Sequence, residues 1–346
     1  MDILSLYSGL THLRVKATKE ETIMKKRMMA LLLAAVTVAT MVTGCGGKKE
    51  NKKDSYNIGI CQLVEHPALD AATQGFKDAL TELLGADKVT FDFQNAQGEQ
   101  TNATTIANAF VADRVDLIMA NATSPLQAAA SATDSIPVLG TSVTDYASAL
   151  DIKDWSGVTG RNISGTSDLA PLDEQEKMLL ELVPDVKKVG ILYCSAETNS
   201  VYQAKKFAEY LKADGVDYVE YTAADSNEIQ TVVTAAVQEV DAIYIPTDNT
   251  MASYTELIKN IVVPAKVPVI AGEEGICSGC GVATLSISYY DLGYATGKMA
   301  YEILVNGKDI KTMEVEYAPN VTKKYNEEIC NALGIAIPDG YVKIGE

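Results

Sequence analysis

Positive charge is what this chain has least of. Lys and Arg number 29 against 46 Asp and Glu, a formal net charge of −17, with no basic stripe against the acidic balance. A phosphate backbone repels such a surface, which excludes nucleic acid as a partner. Histidine is almost absent: of the two in the chain, only His66 lies beyond the amino-terminal segment. With that one histidine and a single close cysteine pair, Cys277 and Cys280, a four-ligand zinc site has no second half. There is no G-x-S-x-G elbow, phosphate-binding loop or dinucleotide glycine fingerprint. The expectation is a protein without catalytic residues, metal or cofactor. No apolar run reaches the about 20 residues that a permanent membrane span needs.

What is present begins with a processing segment. Met24, Lys25, Lys26 and Arg27 form a basic region, Met28 to Val42 is apolar, and Val42-Thr43-Gly44-Cys45 closes it with small residues. Residues 24–44 read as a signal peptide. VTGC resembles a bacterial lipobox, which implies acylation of the Cys45 thiol and cleavage just before it. Residues 1–23 precede a better start at Met24 and are expected to add nothing to the fold. Residues 45–54 read as a polar tether. The leader takes six Lys or Arg and only three Asp or Glu with it, so the exported chain is more acidic still.

The remainder repeats itself. IGIC at 58–61 returns as VGIL at 189–192, DLIM at 116–119 as DAIY at 241–244, and PVLG at 137–140 as PVIA at 268–271. Between the first two strands of each half lies an apolar pattern at helical spacing: Leu69, Ala72, Phe76, Leu80 and Leu83, then Val201, Ala204, Phe207 and Leu211. Short, continuously apolar strands alternating with helices are the signature of parallel sheets covered on both faces. The fold class is therefore α/β: two doubly wound parallel-sheet lobes joined by a multi-stranded hinge. Lobe 1 is placed at 55–160 plus 290–315, lobe 2 at 161–288, and a crossover and tail at 316–346. Glycines 157, 160 and 165 in GVTGRNISGTSD supply the backbone freedom expected of a crossing.

In such sheets ligands bind beyond the carboxyl ends of the strands, where helix amino termini present free N–H groups. The residues following each strand are therefore candidates: Gln62, Glu65 and His66; Asn121, Thr123 and Ser124; Ser142 and Asp145; Glu197 and Asn199; Asp248 and Asn249, from AIYIPTDNT; and Glu274. Ser124, Ser200 and Thr250 read equally as helix caps. His66, before Pro67, reads as an orienting or capping residue or as a ligand contact. Tyr146, Tyr202 and Tyr254 read as packing residues. Cys277-Ser-Gly-Cys280 is expected in a Gly-rich loop before strand 282–286, as a local disulfide or two idle thiols.

VGILYCSAETNS, AIYIPTDNT, VTGRNISGTSD and LSISYYDLGYATGKMAYEIL together resemble the substrate-binding lipoproteins of ABC importers, tryptophan/tyrosine type, over residues from about 56 to 320. The resemblance implies the two-lobed type I periplasmic-binding-protein fold in a monomer that closes on a small molecule, with aromatic amino acids as cargo in relatives, and that passes it to a membrane permease. It also implies that EHPALD, ETNS and TDN line the cleft. The chain departs from the family in carrying Asp145-Tyr146 where relatives often have Asp-Pro.

A zwitterion needs an acceptor for its ammonium and donors for its carboxylate. Asp248, Glu274, Glu65 or Asp145 fits the first need, and helix N–H groups with Thr123 or Ser142 the second. If Asp248 is that acceptor, Asp248→Ala should weaken binding by roughly 2–5 kcal/mol. No Arg stands at a strand end, which argues against phosphates and dicarboxylates. A nucleoside receptor or sensor of the same fold, or a hydrolase pairing Glu65 with Asp248 or Glu274, are the alternative readings.

Overall fold

A computed structural model describes residues 53–318 and 320–345. The expected extension 1–23, signal peptide 24–44, lipidation site Cys45 and most of the tether lie outside the described residues.

Two sheets organise the chain. The first is six-stranded and parallel: β1 (Tyr56–Gln62), β2 (Val89–Asn95), β3 (Leu117–Asn121), β4 (Val138–Val143), β5 (Ile163–Ser167) and β11 (Glu316–Tyr317), in the order β11-β5-β4-β3-β1-β2. The second is seven-stranded: β6 (Lys188–Cys194), β7 (Asp217–Ala223), β8 (Ala242–Ile245), β9 (Val269–Ala271), β10 (Ala283–Ser286), β12 (Thr322–Tyr325) and β13 (Val342–Lys343). Its order is β13-β12-β10-β9-β8-β6-β7, with β10 and β12 antiparallel. The first five strands of each half take the same spatial order, which is the internal repeat in three dimensions.

The central strands β3, β4, β8 and β9 are buried at every residue, because helices cover both faces. The edge strands β2 and β7 are largely exposed or half-buried. On the first sheet Phe110 packs on one side and Phe76 on the other. On the second, Phe207 stacks on Tyr244 with ring centroids 3.6 Å apart, and Val233 and Ile258 fill the opposite side. Among the described residues no helix is long and apolar enough to cross a membrane.

Helices start where the chain leaves a strand. They include α1 (Pro67–Leu84), α2 (Gln100–Asp113), α3 (Thr123–Ala132), α4 (Tyr146–Ala149), α5 (Leu172–Leu182) and α6 (Thr198–Ala213). Then come α7 (Ile229–Ala236), α8 (Asn249–Ala252), α9 (Thr255–Ala265), α10 (Glu274–Cys280), α11 (Tyr289–Leu304) and α12 (Glu327–Leu333). Helix α11 returns from the second sheet to pack on α1 with backbones nearly touching: a Cβ on Gly293 would lie 1.8 Å from the Ala72 carbonyl oxygen. Only glycine admits that approach.

The structure moves two expected features. Strand β5 extends the first sheet, so the chain crosses to the second lobe after Ser167 and not from residue 161. Gly165 in that strand is there for close packing and not for a hinge: a Cβ would meet the Gly140 carbonyl oxygen at 2.0 Å and Tyr146 Oη at 2.4 Å. The other change concerns CSGC, which forms the end of helix α10 rather than a loop. Its thiols, like Cys61, Cys194 and Cys330, are free and buried. Burial pushes Cys61 up to about 12, so that thiol stays neutral and unreactive at neutral pH.

The return crossings follow β10, through Ile287 and Ser288 into α11, and β11, from Ala318 towards β12. Among the described residues, three connections thus run between the lobes.

Candidate functional site

The carboxyl ends of the two sheets face each other across a narrow cavity of about 10 Å³. Its walls are His66 and Leu69 at the start of α1, Ser142 and Thr144 at the end of β4, and Asn199 in α6. Thr247, Asp248, Asn249 and Ala252 around α8, Glu273 before α10, and Asp168 and Tyr289 from the crossings complete it. A larger cavity of about 1110 Å³ shares His66, Ala252, Glu273 and Tyr289 with it and extends along Tyr290, Tyr294 and Tyr317. None of the described residues lining the narrow cavity is Lys or Arg.

Its carboxylates differ in how fully they are occupied. Asp248 caps α8: Oδ1 accepts from Met251 N–H at 2.8 Å, and Oδ2 accepts from Cys194 N–H at 2.7 Å. Burial first, and then the neighbouring Glu197, push Asp248 up to about 8 despite those bonds. Glu273 caps α10 through Gly275 N–H at 2.6 Å and Ile276 N–H at 2.5 Å, and burial pushes it up to about 7. Glu197 accepts from the backbone N–H and side chain of Asn249, the backbone N–H and hydroxyl of Thr250, and the Asn199 amide. It therefore holds the first turn of α8 and adds nothing to the lining of the narrow cavity. Asp168 is 3% exposed and receives only the Thr144 hydroxyl at 2.9 Å and the Tyr289 hydroxyl at 3.0 Å as side-chain donors; burial raises its pKa.

Two further features look into the cavity. Ser142 sits at φ +53°, a left-handed conformation rare for serine, and its buried Oγ has no hydrogen-bond partner. His66 Nε2 meets Asn249 Oδ1 at 3.3 Å, a contact from one lobe to the other. Burial lowers the His66 pKa, which keeps the ring neutral at neutral pH.

Of the residues read from sequence, His66, Ser142, Asn199, Asp248 and Asn249 line the narrow cavity. The rest have other work. Gln62 and Asn121 form a buried network with Thr73, and Asn121 Nδ2 also donates to the Leu69 carbonyl at 2.7 Å, which seats α1 on the sheet. Glu65 is exposed and lines neither cavity, so no acid/base pair with Asp248 is assembled. Thr123 and Ser124 open α3 but do not cap it; Ala122, at φ +101°, takes that position, and neither hydroxyl faces the two cavities. Asp145 caps α4 by accepting from Ser148 N–H at 2.7 Å. Glu274 faces the larger cavity, where Lys324 lies 2.8 Å away and the Ser286 hydroxyl 2.5 Å. Asp248 keeps its place in the wall, but both its oxygens are already engaged by backbone.

Asp168 and Tyr289 were missed as site residues. The available signal was position: Asp168 follows β5 as the other candidates follow their strands, but ISGTS reads as a hinge when taken alone.

Comparison with known proteins places this architecture. Residues 57–344 match the family described as ABC transporter substrate binding protein, and the chain belongs to that family. It is 36% identical over 323 residues to a tyrosine-binding protein of Clostridioides difficile, covering 90% of this chain and 93% of that one. An ABC domain in complex with L-Trp from Streptococcus pneumoniae superposes with a TM-score of 0.79 at 34% identity, over 82% of this chain and 96% of that one. A ligand-free, open substrate-binding protein with adhesive properties from Clostridium difficile has a TM-score of 0.65 at 38% identity, over 83% and 99% of the two chains. The lobe arrangement thus stands nearer to the L-Trp complex than to the open form, in keeping with the His66–Asn249 contact across the lobes. The chain is a substrate-binding protein with two parallel-sheet α/β lobes.

Proposed function

We propose that the protein captures an aromatic amino acid, L-tyrosine or L-tryptophan, between its lobes on the outer side of the cell membrane and passes it unchanged to an ABC permease. In this reading the exported chain is a monomer held to the membrane only by lipid on Cys45. It works without cofactor and has no nucleic-acid partner. The observation that carries the proposal is the pair of adjoining cavities: a narrow one of about 10 Å³ walled by carboxylates, hydroxyls and amides from both lobes with no fixed cation, which suits an ammonium group, and one of about 1110 Å³ along Tyr290, Tyr294 and Tyr317 with room for the rest of the guest. The cargo of the relatives named above supports the aromatic side chain.

Ligand binding favours the form in which both sets of strand tips touch the guest, so closure is a population shift driven by that preference. A thermal-shift screen of amino acids and nucleosides tests the cargo. L-Tyr or L-Trp at 100 times its Kd should add about 2.7 kcal/mol of stability. A response to nucleosides alone would replace the cargo, and turnover of the bound compound would overturn the transport reading.

A further inference from the structure

We infer that Asp168, and not Asp248, seats the ligand's ammonium group, with the unpartnered Ser142 hydroxyl a donor to the same guest. This inference rests on the amino-acid cargo proposed above.

Asp168, Asp248 and Glu273 each accept two hydrogen bonds and differ in what donates them. A carboxylate offers about four acceptor positions. Asp248 and Glu273 each commit two of these to backbone N–H groups, in the first turns of α8 and α10 and, for Asp248, at Cys194 in β6. Glu197 spends its own on α8 and the Asn199 amide. Asp168 caps no helix, and its side-chain partners, Thr144 and Tyr289, are neutral hydroxyls held apart on its two oxygens. Those partners orient the carboxylate without neutralising it. A buried carboxylate with spare acceptor sites and no cation among its neighbours is completed by a cationic ligand group.

Position adds a second argument. Asp168 begins the crossing out of β5, Thr144 follows β4 in the first lobe, and Tyr289 opens α11 where the chain returns from the second sheet. A cation drawn to Asp168 is held where the lobes hinge, so it is felt by both. Ser142 supplies the independent sign of a ligand: it is 5% exposed, lines the same cavity, and has an Oγ with no partner. An amino acid bridging the two residues would place its ammonium on Asp168 and present its carboxylate to Ser142.

Calorimetric titration of the full chain and its Asp168→Asn variant tests this, using L-tyrosine and its deaminated analogue 3-(4-hydroxyphenyl)propionate, the latter by competition. Wild type should prefer tyrosine over the analogue by at least 100-fold, and Asp168→Asn should cut that preference at least tenfold by weakening tyrosine alone. Unchanged tyrosine affinity, or equal loss for both ligands, would overturn the seat while leaving the cargo intact. Wild type that binds no aromatic amino acid would remove the cargo, and the seat with it. If Asp168→Asn does not fold, Tyr289→Phe removes one orienting hydroxyl and keeps the carboxylate. It should weaken tyrosine several-fold more than the analogue, and equal weakening would again count against the seat.

Discussion

Asp248→Ala is expected to lower the unfolding free energy by about 2–5 kcal/mol. The substitution removes a helix cap, worth about 0.5–2 kcal/mol. It also strands the buried N–H of Cys194, costing about 1–3 kcal/mol when left without an acceptor. Relief of the repulsion from Glu197 offsets part of this. The reading from sequence alone put a loss of similar size in ligand affinity, on the assumption that the carboxylate was free to meet an ammonium. With both oxygens committed to backbone 54 residues away and three residues away, the loss belongs to folding. Urea denaturation of the two proteins decides: a stability difference under about 0.5 kcal/mol would mean those bonds contribute nothing net.

Without ligand, stability should fall by about 2 kcal/mol between pH 6.5 and 8. Asp248 and Glu273 are pushed up to about 8 and about 7 in the folded protein by burial, whereas in the unfolded chain both are ionised above about pH 5. Across this window the folded state therefore holds protons that the unfolded state has lost. Stability falls with rising pH wherever the native state binds more protons, so the slope is negative. His66, whose pKa is lowered, contributes with the opposite sign, but mostly below its unfolded value of about 6.5. Denaturation midpoints at the two pH values give the slope. Glu176, which burial also pushes up to about 7, adds to the same slope. In Asp248→Asn, whatever its mean stability, the slope should shrink by about half; an undiminished slope would place the titration elsewhere.

The repeat and its strands were legible because buried parallel strands have to be apolar along their length, and IGIC, DLIM and DAIY are. Strand β5 was not. Beyond Ile163 it is ISGTS, and its polar side chains are satisfied by partners far along the chain. Thr166 bonds the hydroxyls of Thr141 and Thr296, and Ser164 donates to the Met313 carbonyl. A strand of that kind looks like a loop until its neighbours are known. Asp168 at its end was hidden for the same reason.

The strand-tip rule found five of the twelve residues in the narrow cavity wall and over-counted elsewhere, because a polar residue after a strand serves helix starts as readily as ligands. Glu197 shows the difficulty: its partners, Asn249 and Thr250, lie 52 and 53 residues on. Nothing in ETNS announces them. The helical character of CSGC had a local sign, since Glu273 stands three residues before Ile276 and caps its N–H, but the glycines of GCG masked it.

The proposed function requires that one aromatic amino acid be held, untransformed, where the two sets of strand tips meet. A crystal structure of the protein grown with L-tyrosine or L-tryptophan tests this most directly. The predicted result is one intact amino acid enclosed between Ser142 and Asp168 on one side and Asn199 and Thr247 on the other. An amino acid bound on an outer face, with the inter-lobe cavity unchanged, would contradict it.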